Sequence, residues 1–305
     1  MASGADASLR EALLAAREGC ALRSGFAPPL CVEGPDARDF LHRLTSQNVK
    51  NLAEGQAAWA ALLNRQGQVQ AFFVCWRTGA ERFHLLGEAP DIEAAARLLE
   101  TGRFRERLQI ASDPSLETLV LAGPRLPAFP EGVLSWSDPL SYPPREARWI
   151  LADKNTAEGL KASMPRLNAA GWEVLRITAG LPSMEKDLRE GALVLEANME
   201  FALARNKGCY PGQEIVERIY SKGNVARLLI GLSAEGATPL PPGCPVSDGG
   251  KEAGSVSSSA YDPLHDRSLA LAWIQKGHWE SGGLAFRTPE GSRPAALLPN
   301  RYSKK

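Results

Sequence analysis

The sequence predicts a mixed α+β fold that closes with a small β-barrel, and three observations carry this. Segments with helical periodicity alternate with strand-like runs over residues 30–178. Hairpin signals recur between those strands, which argues against a doubly wound parallel sheet. Past Lys222 no helical period survives, and short strands with Gly- and Pro-rich turns take over.

The elements follow in order. An opening helix spans Ser8–Arg17, rich in alanine and leucine and stopped by Gly19. Residues 30–33 form a short strand that Gly34 and Pro35 punctuate. A second helix, capped by Asp36, carries Ala37, Phe40, Leu41 and Leu44 on one face. Strands 57–63 and 68–76 flank the turn Asn64-Arg65-Gln66-Gly67 as a hairpin, and strand 81–86 follows. Asp91 caps a helix over 92–101 that Gly102 ends. Strands are expected at 104–110, 116–121, 132–136 and 147–152, and helices near 156–164 and 169–178. The barrel strands are expected at 225–233, 252–261, 268–274 and 283–287, with a frayed tail at Arg301–Lys305. The division is thus a core over 1–222 and a barrel over 223–305.

A length of 305 residues suffices for two or three domains with sizeable cores. Thirty-five basic residues balance 35 acidic ones, so nothing draws the whole surface to phosphate backbones or anionic membranes. Direct nucleic-acid binding is not expected. The N-terminus is interrupted by Asp6, Arg10, Glu11, Arg17 and Glu18 and has no apolar core of a secretory signal. No run reaches the roughly 18–20 apolar residues that span a bilayer. The expected location is the cytoplasm or a similarly reducing compartment. The five cysteines, Cys20, Cys31, Cys75, Cys209 and Cys244, are odd in number and form no Cys-x-x-Cys. That argues against a disulfide framework, and no local set of four could hold a cluster alone. Of the four histidines none forms a metal-spaced pair. His42 is expected on the exposed side of its helix, without a role.

The chemistry-bearing stretch is Lys207-Gly208-Cys209-Tyr210-Pro211-Gly212-Gln213-Glu214. Two glycines and a proline within five residues require a tight, special backbone. Pro211 suits the first turn of a helix running through Ile215, Val216 and Ile219. Cys209 would then sit just outside a helix N-terminus, two residues from an ammonium, and both favour thiolate over thiol. The same residues also describe a turn around a buried, inert cysteine.

This run resembles the K-G-C-Y-x-G-Q-E signature of the YgfZ/IBA57 group, proteins with a GcvT-like folate-binding fold. The flanks agree: Ala179-Gly180-Leu181-Pro182 resembles the group's A-G-I-P turn, and Leu195-Glu196-Ala197-Asn198 its Q-E-A-N segment. Gly34-x-Asp36-Ala37-x-x-Phe40-Leu41 and Gly55-Gln56-Ala57 match the start of that fold, and the likeness covers most of residues 30–233. It implies two interleaved α/β subdomains and a C-terminal barrel around a tetrahydrofolate channel, as in the T-protein of glycine cleavage. It also implies an accessory role in assembling, maintaining or repairing iron–sulfur clusters. A-type carriers or client [4Fe–4S] proteins would be its partners.

In this reading Cys209 is the working residue and one ligand of a shared or transient iron–sulfur cluster, while Lys207 favours its thiolate. Gly208 and Gly212 allow close backbone approach, Gln213 and Glu214 shape the loop or only decorate it, and Tyr210 packs. Asn64, Thr178, Asn198 and Arg205 are the candidate tetrahydrofolate contacts. Thr178 stands where T-protein-like chains carry a pterin-binding carboxylate, with Glu173 and Glu185 as possible substitutes. T-proteins carry an acidic pair after the hairpin turn, where this chain has Ala71 and Phe72, which move no proton. Aminomethyl transfer is therefore the alternative, beside a non-catalytic folate-binding scaffold. The fold also resembles the tetrahydrofolate-binding domain of a tRNA-modification GTPase. With no P-loop G-x-x-x-x-G-K-[ST] in the chain, any effect on tRNA modification is expected to be indirect.

Overall fold

Along the chain, α1 (Gly4–Glu18) leads into β1 (Ala21–Arg23), β2 (Leu30–Glu33) and α2 (Ala37–Leu44). The hairpin β3 (Ala57–Leu63) and β4 (Val69–Arg77) follows, then β5 (Arg82–Leu86) and α3 (Ala89–Gly102). β6 (Gln109–Ser112), β7 (Leu116–Gly123), β8 (Leu134–Ser137) and β9 (Glu146–Asp153) precede α4 (Lys154–Ser163), α5 (Ala169–Ala179) and α6 (Gln213–Lys222). The last strands are β10 (Arg227–Glu235), β11 (Pro245–Asp248), β12 (Lys251–Asp262), β13 (Arg267–Gln275), β14 (Leu284–Thr288), β15 (Gly291–Pro294) and β16 (Ala296–Leu297). This computed structural model describes residues 4–130, 132–140, 146–188, 191–223, 225–238 and 240–299. The tail Arg301–Lys305 lies outside them.

The strands form an antiparallel sheet in the order β3-β4-β5-β2-β6, a second in the order β1-β7-β9-β8, and a third that curls in the order β15-β14-β11-β12-β13-β10-β16. The first two sheets interleave: β1 pairs with β7, across the whole of the β2–β6 sheet in sequence. The β3–β4 hairpin is buried on both faces, which is why its sequence reads as a near-continuous apolar run. Period two still sorts it. Trp59, Ala61, Leu63, Phe72, Val74 and Trp76 face the central core. Ala60, Leu62, Ala71, Phe73 and Cys75 face a second core that includes Phe40 and Leu41 of α2 and Leu99 of α3. Ala71 and Phe72 thus point to opposite sides. Among the described residues no helix is long and apolar enough to cross a membrane.

Several local expectations are corrected. Asp36 makes no side-chain cap; its carboxylate instead takes the backbone N–H of Arg107 at 2.7 Å and that residue's guanidinium. Asp91 lies inside α3, which starts two residues earlier with Pro90 in its first turn and Glu88 as N-cap. Residues 104–106 form a loop rather than a strand, because the Glu106 carboxylate gathers the N–H groups of Phe104 and Arg105. Helix α6 starts at Gln213, with Pro211 in the preceding turn. β1, β11, β15 and β16, two to four residues each, are too short to show a period.

The third sheet is tied to the rest by buried polar groups. Asp187 is fully buried. Its carboxylate accepts from Arg176 Nη1 at 2.7 Å, from Ser183 N and from Ser257 Oγ of β12. Its carbonyl accepts from Trp273 Nε1 of β13. Glu196 makes a second tie, accepting from Leu229 N through its carbonyl and from Arg227 through its carboxylate.

Candidate functional site

Two places carry chemistry. The first is a cavity of about 310 Å³ between the β3–β4 hairpin, β9, the start of α3, α5 and the loop after it. Its aromatic wall is Phe26, Trp59, Phe72, Trp149 and Trp172. Ring centroids lie 5.1 Å apart for Phe26–Trp149, 5.4 Å for Trp59–Trp149 and 5.8 Å for Phe26–Trp172. Two of these indoles are fixed from behind, since Trp59 Nε1 and Trp149 Nε1 donate to the two carboxylate oxygens of buried Asp138 at 2.9 and 3.0 Å. Each ring is thereby held at one angle to the cavity.

Charge enters this apolar wall from four elements. Glu88 and Asp91 come from the start of α3, Glu173 and Arg176 from α5, Arg23 from β1, and Glu185 and Lys186 from the loop. Arg176 is 3% exposed and bridges Glu173 and Asp187, all at 2.7 Å, so burial does not strip its charge. Burial pushes Glu173 up, but the Arg176 guanidinium and the Lys186 ammonium outweigh it and hold this carboxyl below the usual carboxylate range. Glu88 is pushed up by burial, an effect that Arg23 partly offsets. Asp91 is pushed up to about 7 by burial, with the Phe72 N–H bond at 3.2 Å pulling the other way. It is therefore a carboxyl that exchanges its proton near neutral pH. Among the described residues, Arg23 Nε is a buried donor without a partner.

The second place is the Cys209 loop. Lys207 is buried, and its ammonium donates to the carbonyls of His42 and Thr45 at 2.5 and 2.7 Å. These are open carbonyls at the C-terminal end of α2, the negative end of the helix. The same ammonium lies 4.8 Å from the centre of the Tyr210 ring, which packs into the central core. Burial pulls Lys207 down to about 8, against an upward pull from nearby Cys209. Lys207 is thus an anchor that ties the loop to the end of α2. His42 is not idle: Nε2 meets the Lys207 carbonyl at 2.8 Å and Nδ1 accepts from Lys50 N at 3.4 Å. Both contacts together require the proton on Nε2.

On the far side of the loop Gly212 sits at φ 81°, and a Cβ there would lie 2.5 Å from Asn64 O and 2.9 Å from Gly67 Cα. The loop is therefore jammed, backbone to backbone, against the β3–β4 turn. Gly208, at φ 95° with open space around it, is needed for its conformation rather than for close packing. Gln213 gives its N–H to Tyr210 O, and Glu214 is exposed. Between these anchors Cys209 is exposed. The other four cysteines are at least partly buried, and burial pushes all of them up, Cys20 to about 11 and Cys75 to about 12.

The structure does not bring the four expected folate contacts into the cavity lining. Asn64 shapes its own turn, its side-chain oxygen accepting from Gln66 N and Gln68 N. Thr178 donates back to Val174 O and borders a smaller cavity of about 60 Å³ that shares Trp172, Arg176 and Leu181 with the larger one. Asn198 takes a left-handed turn at φ 58°. The Arg205 guanidinium lies over the Tyr220 ring at 4.7 Å. Glu173 and Glu185, the expected substitutes for Thr178, do line the cavity. Asp91 and Glu88 were not expected there. The signal was Gly87-Glu88-Ala89-Pro90-Asp91, two carboxylates around the Pro of a helix start. Among the described residues no group of three His, Cys, Asp or Glu side chains is placed to hold a metal.

Comparison with known proteins agrees with this architecture. Residues 24–135 match the GCVT N-terminal domain, and residues 227–300 match the glycine cleavage T-protein C-terminal barrel domain. An aminomethyltransferase of Rubrobacter xylanophilus is 27% identical over 306 residues, covering 87% of this chain and 78% of that one. The mitochondrial iron–sulfur cluster assembly factor IBA57 of Mus musculus is 27% identical over 236 residues, covering 69% of this chain and 64% of its own length. The crystal structure of glycine cleavage system aminomethyltransferase T from Bartonella henselae superposes with a TM-score of 0.81 at 20% identity, covering 95% of this chain and 88% of that one. The chain thus has the glycine cleavage T-protein fold, an N-terminal GCVT domain joined to a T-protein C-terminal barrel.

Proposed function

We propose that this protein is a tetrahydrofolate-binding accessory factor in the assembly, maintenance or repair of iron–sulfur clusters, and that Cys209 meets the cluster. The observation that carries this reading is the exposure of Cys209 on a loop anchored from both sides, by Lys207 on α2 and by Gly212 on the hairpin turn. An inert structural cysteine is usually buried and needs no such support. The cluster is the substrate, its other ligands coming from the protein that carries it, an A-type carrier or a [4Fe–4S] client. The likeness to the mouse assembly factor supports this.

The cavity residues fit a reduced folate. The tryptophans offer faces for stacking, the carboxyls of Asp91 and Glu88 suit the amino and amide edge of a pterin, and the unpartnered Arg23 Nε offers a donor. When bound, tetrahydrofolate would supply ring nitrogens that carry one-carbon units. Asp91 would hold or release a proton at its carboxyl, and the aromatic wall would exclude water.

The test is complementation of a strain lacking its own gene of this type, with a radical [4Fe–4S] enzyme as readout and equal protein levels shown. Wild type should rescue and Cys209→Ser should not; equal rescue by both sinks the role of the thiol. A second reading, folate-dependent aminomethyl transfer, is favoured by Asp91, a cavity carboxyl that titrates near neutrality, and by the aminomethyltransferase relatives. An aminomethyl-transfer assay with tetrahydrofolate separates the two.

A further inference from the structure

Asp91 lines the large cavity without a counter-charge. It is 3% exposed, and its Oδ1 accepts from Phe72 N at 3.2 Å. Among the described residues no cation pairs with it. The cations of the lining are answered elsewhere. Arg176 bridges Glu173 and Asp187, Lys186 meets Glu173 at 2.9 Å, and Arg23 faces Glu88 at 3.8 Å while lying over the Phe26 ring. Glu185, the remaining carboxyl of the lining, is exposed. A buried carboxylate with no partner is costly, so Asp91 either keeps its proton or takes up a cation.

The walls beside it suit one kind of cation. The rings of Trp59 and Trp149 cross at 86°, and those of Phe26 and Trp172 at 88°. Right-angled rings make corners, and a corner surrounds a compact group on more than one side. Aromatic faces attract cations, most strongly where water is excluded. The Trp59 and Trp149 indoles both donate to the Asp138 carboxylate, which pushes electron density back into their rings. Asp91 joins this wall through Phe72, whose N–H it accepts and whose ring lies 5.7 Å from that of Trp59. An ammonium rich in N–H groups needs acceptors that aromatic walls lack. Methyl groups on the nitrogen need none, and they spread the charge over apolar surface. Trp149, Trp59 and Phe72 are 2, 3 and 5% exposed, so the corner is deep and fits a small molecule rather than a segment of another protein.

We propose that this corner, the rings of Phe26, Trp59, Trp149 and Trp172 with the Asp91 carboxylate, binds the methylated ammonium group of a small molecule. The rings supply the faces and Asp91 the counter-charge. The inference goes beyond the functional reading above and stands on the cavity alone, apart from the role of Cys209. An ammonium on Asp91 takes the carboxyl that a pterin edge would use, so the two ligands exclude each other.

The experiment titrates the full chain by calorimetry with choline and with its uncharged isostere, 3,3-dimethylbutan-1-ol, and separately with tetrahydrofolate. Choline should bind at least about tenfold more tightly than the alcohol. Asp91→Asn and Trp172→Leu should each weaken choline at least about fivefold, and Trp172→Tyr should retain it. Choline affinity should rise with pH to about 7, as Asp91 gives up its proton, and stay level above. Glu88, which burial also pushes up, adds to the rise, while Arg23, Arg176 and Lys186 stay charged beside Glu173. Asp91→Asn should flatten the profile. Equal affinity for choline and the alcohol, or choline binding that survives Asp91→Asn, overturns the proposal. So does independent binding of choline and tetrahydrofolate, which places the ammonium away from Asp91. A chain that binds tetrahydrofolate and ignores choline overturns this inference and leaves the folate reading intact. A chain that binds choline and ignores tetrahydrofolate does the reverse.

Discussion

The cavity and the Cys209 loop handle charge in opposite ways. In the cavity, carboxyls and guanidinium groups are buried among tryptophans, and Arg176 is kept charged only by Glu173 and Asp187. In the loop, the charge of Lys207 is put underneath, on the open carbonyls of α2, so that the thiol above it stays in solvent. One site depends on side chains that are expensive to bury; the other depends on backbone conformation. The difference teaches which substitutions should damage the fold and which should damage only the chemistry.

The largest effect is expected for Arg176→Met. It strands Asp187 in a fully buried position, and loss of one partner of such a pair costs about 3–5 kcal/mol. Urea denaturation reads this directly, and a loss under about 1 kcal/mol would mean that the network is not dry.

Asp91→Asn comes next and has the opposite sign. The folded-state value of Asp91, about 7, stands above the roughly 4 of an unfolded chain, so folding favours the protonated form. Stability at this site is fully present below about pH 4, declines as pH rises to about 7, and is level above. The asparagine keeps an oxygen for Phe72 N and removes the titration. It should gain on the order of 2–3 kcal/mol above pH 7 and nothing near pH 4. Parallel stability–pH curves for variant and wild type would refute the assignment.

Gly212→Ala is expected to cost roughly 1–3 kcal/mol, since the new Cβ meets the Asn64 carbonyl in a left-handed conformation. Labelling of Cys209 by a maleimide should change rate in this variant, because the loop loses its seat on the hairpin turn. Cys209→Ser, the smallest in stability, should lie within about 0.5 kcal/mol of wild type while abolishing rescue of the [4Fe–4S] enzyme. A Cys209→Ser protein that melts early would make the cysteine a packing residue.

The same contrast decides what could be read from the sequence. The Cys209 loop was legible because backbone demands leave local marks: two glycines at positive φ, a proline and a lysine within a few residues. The hairpin around Asn64 and the gross α+β class were legible for the same reason. The cavity was not, because its walls come from β3, β4, β9, α3 and α5, and nothing local says that Trp59, Trp149 and Trp172 meet. Asp91 reads as a helix cap by every local rule, and only the position of Phe72 N across the core explains why it is buried instead. His42 reads as exposed because its partner, Lys207, is 165 residues away in sequence. Pro211 misled in a different way. A proline suits a helix start, but Gly212, held against the hairpin, forces the helix to begin two residues later.

Asp187 bears on whether the barrel is a separable part. Its carboxylate needs a hydroxyl from β12 and its carbonyl an indole from β13. A chain cut before Arg227 would open that site to water and leave the guanidinium of Arg176 with one fewer dry partner to lean on. A barrel grafted from another protein would need a serine where Ser257 is and a tryptophan where Trp273 is. Heat or denaturant should accordingly melt both parts in one transition, and a separate early melting of the barrel would show that these two bonds do not couple it to the rest.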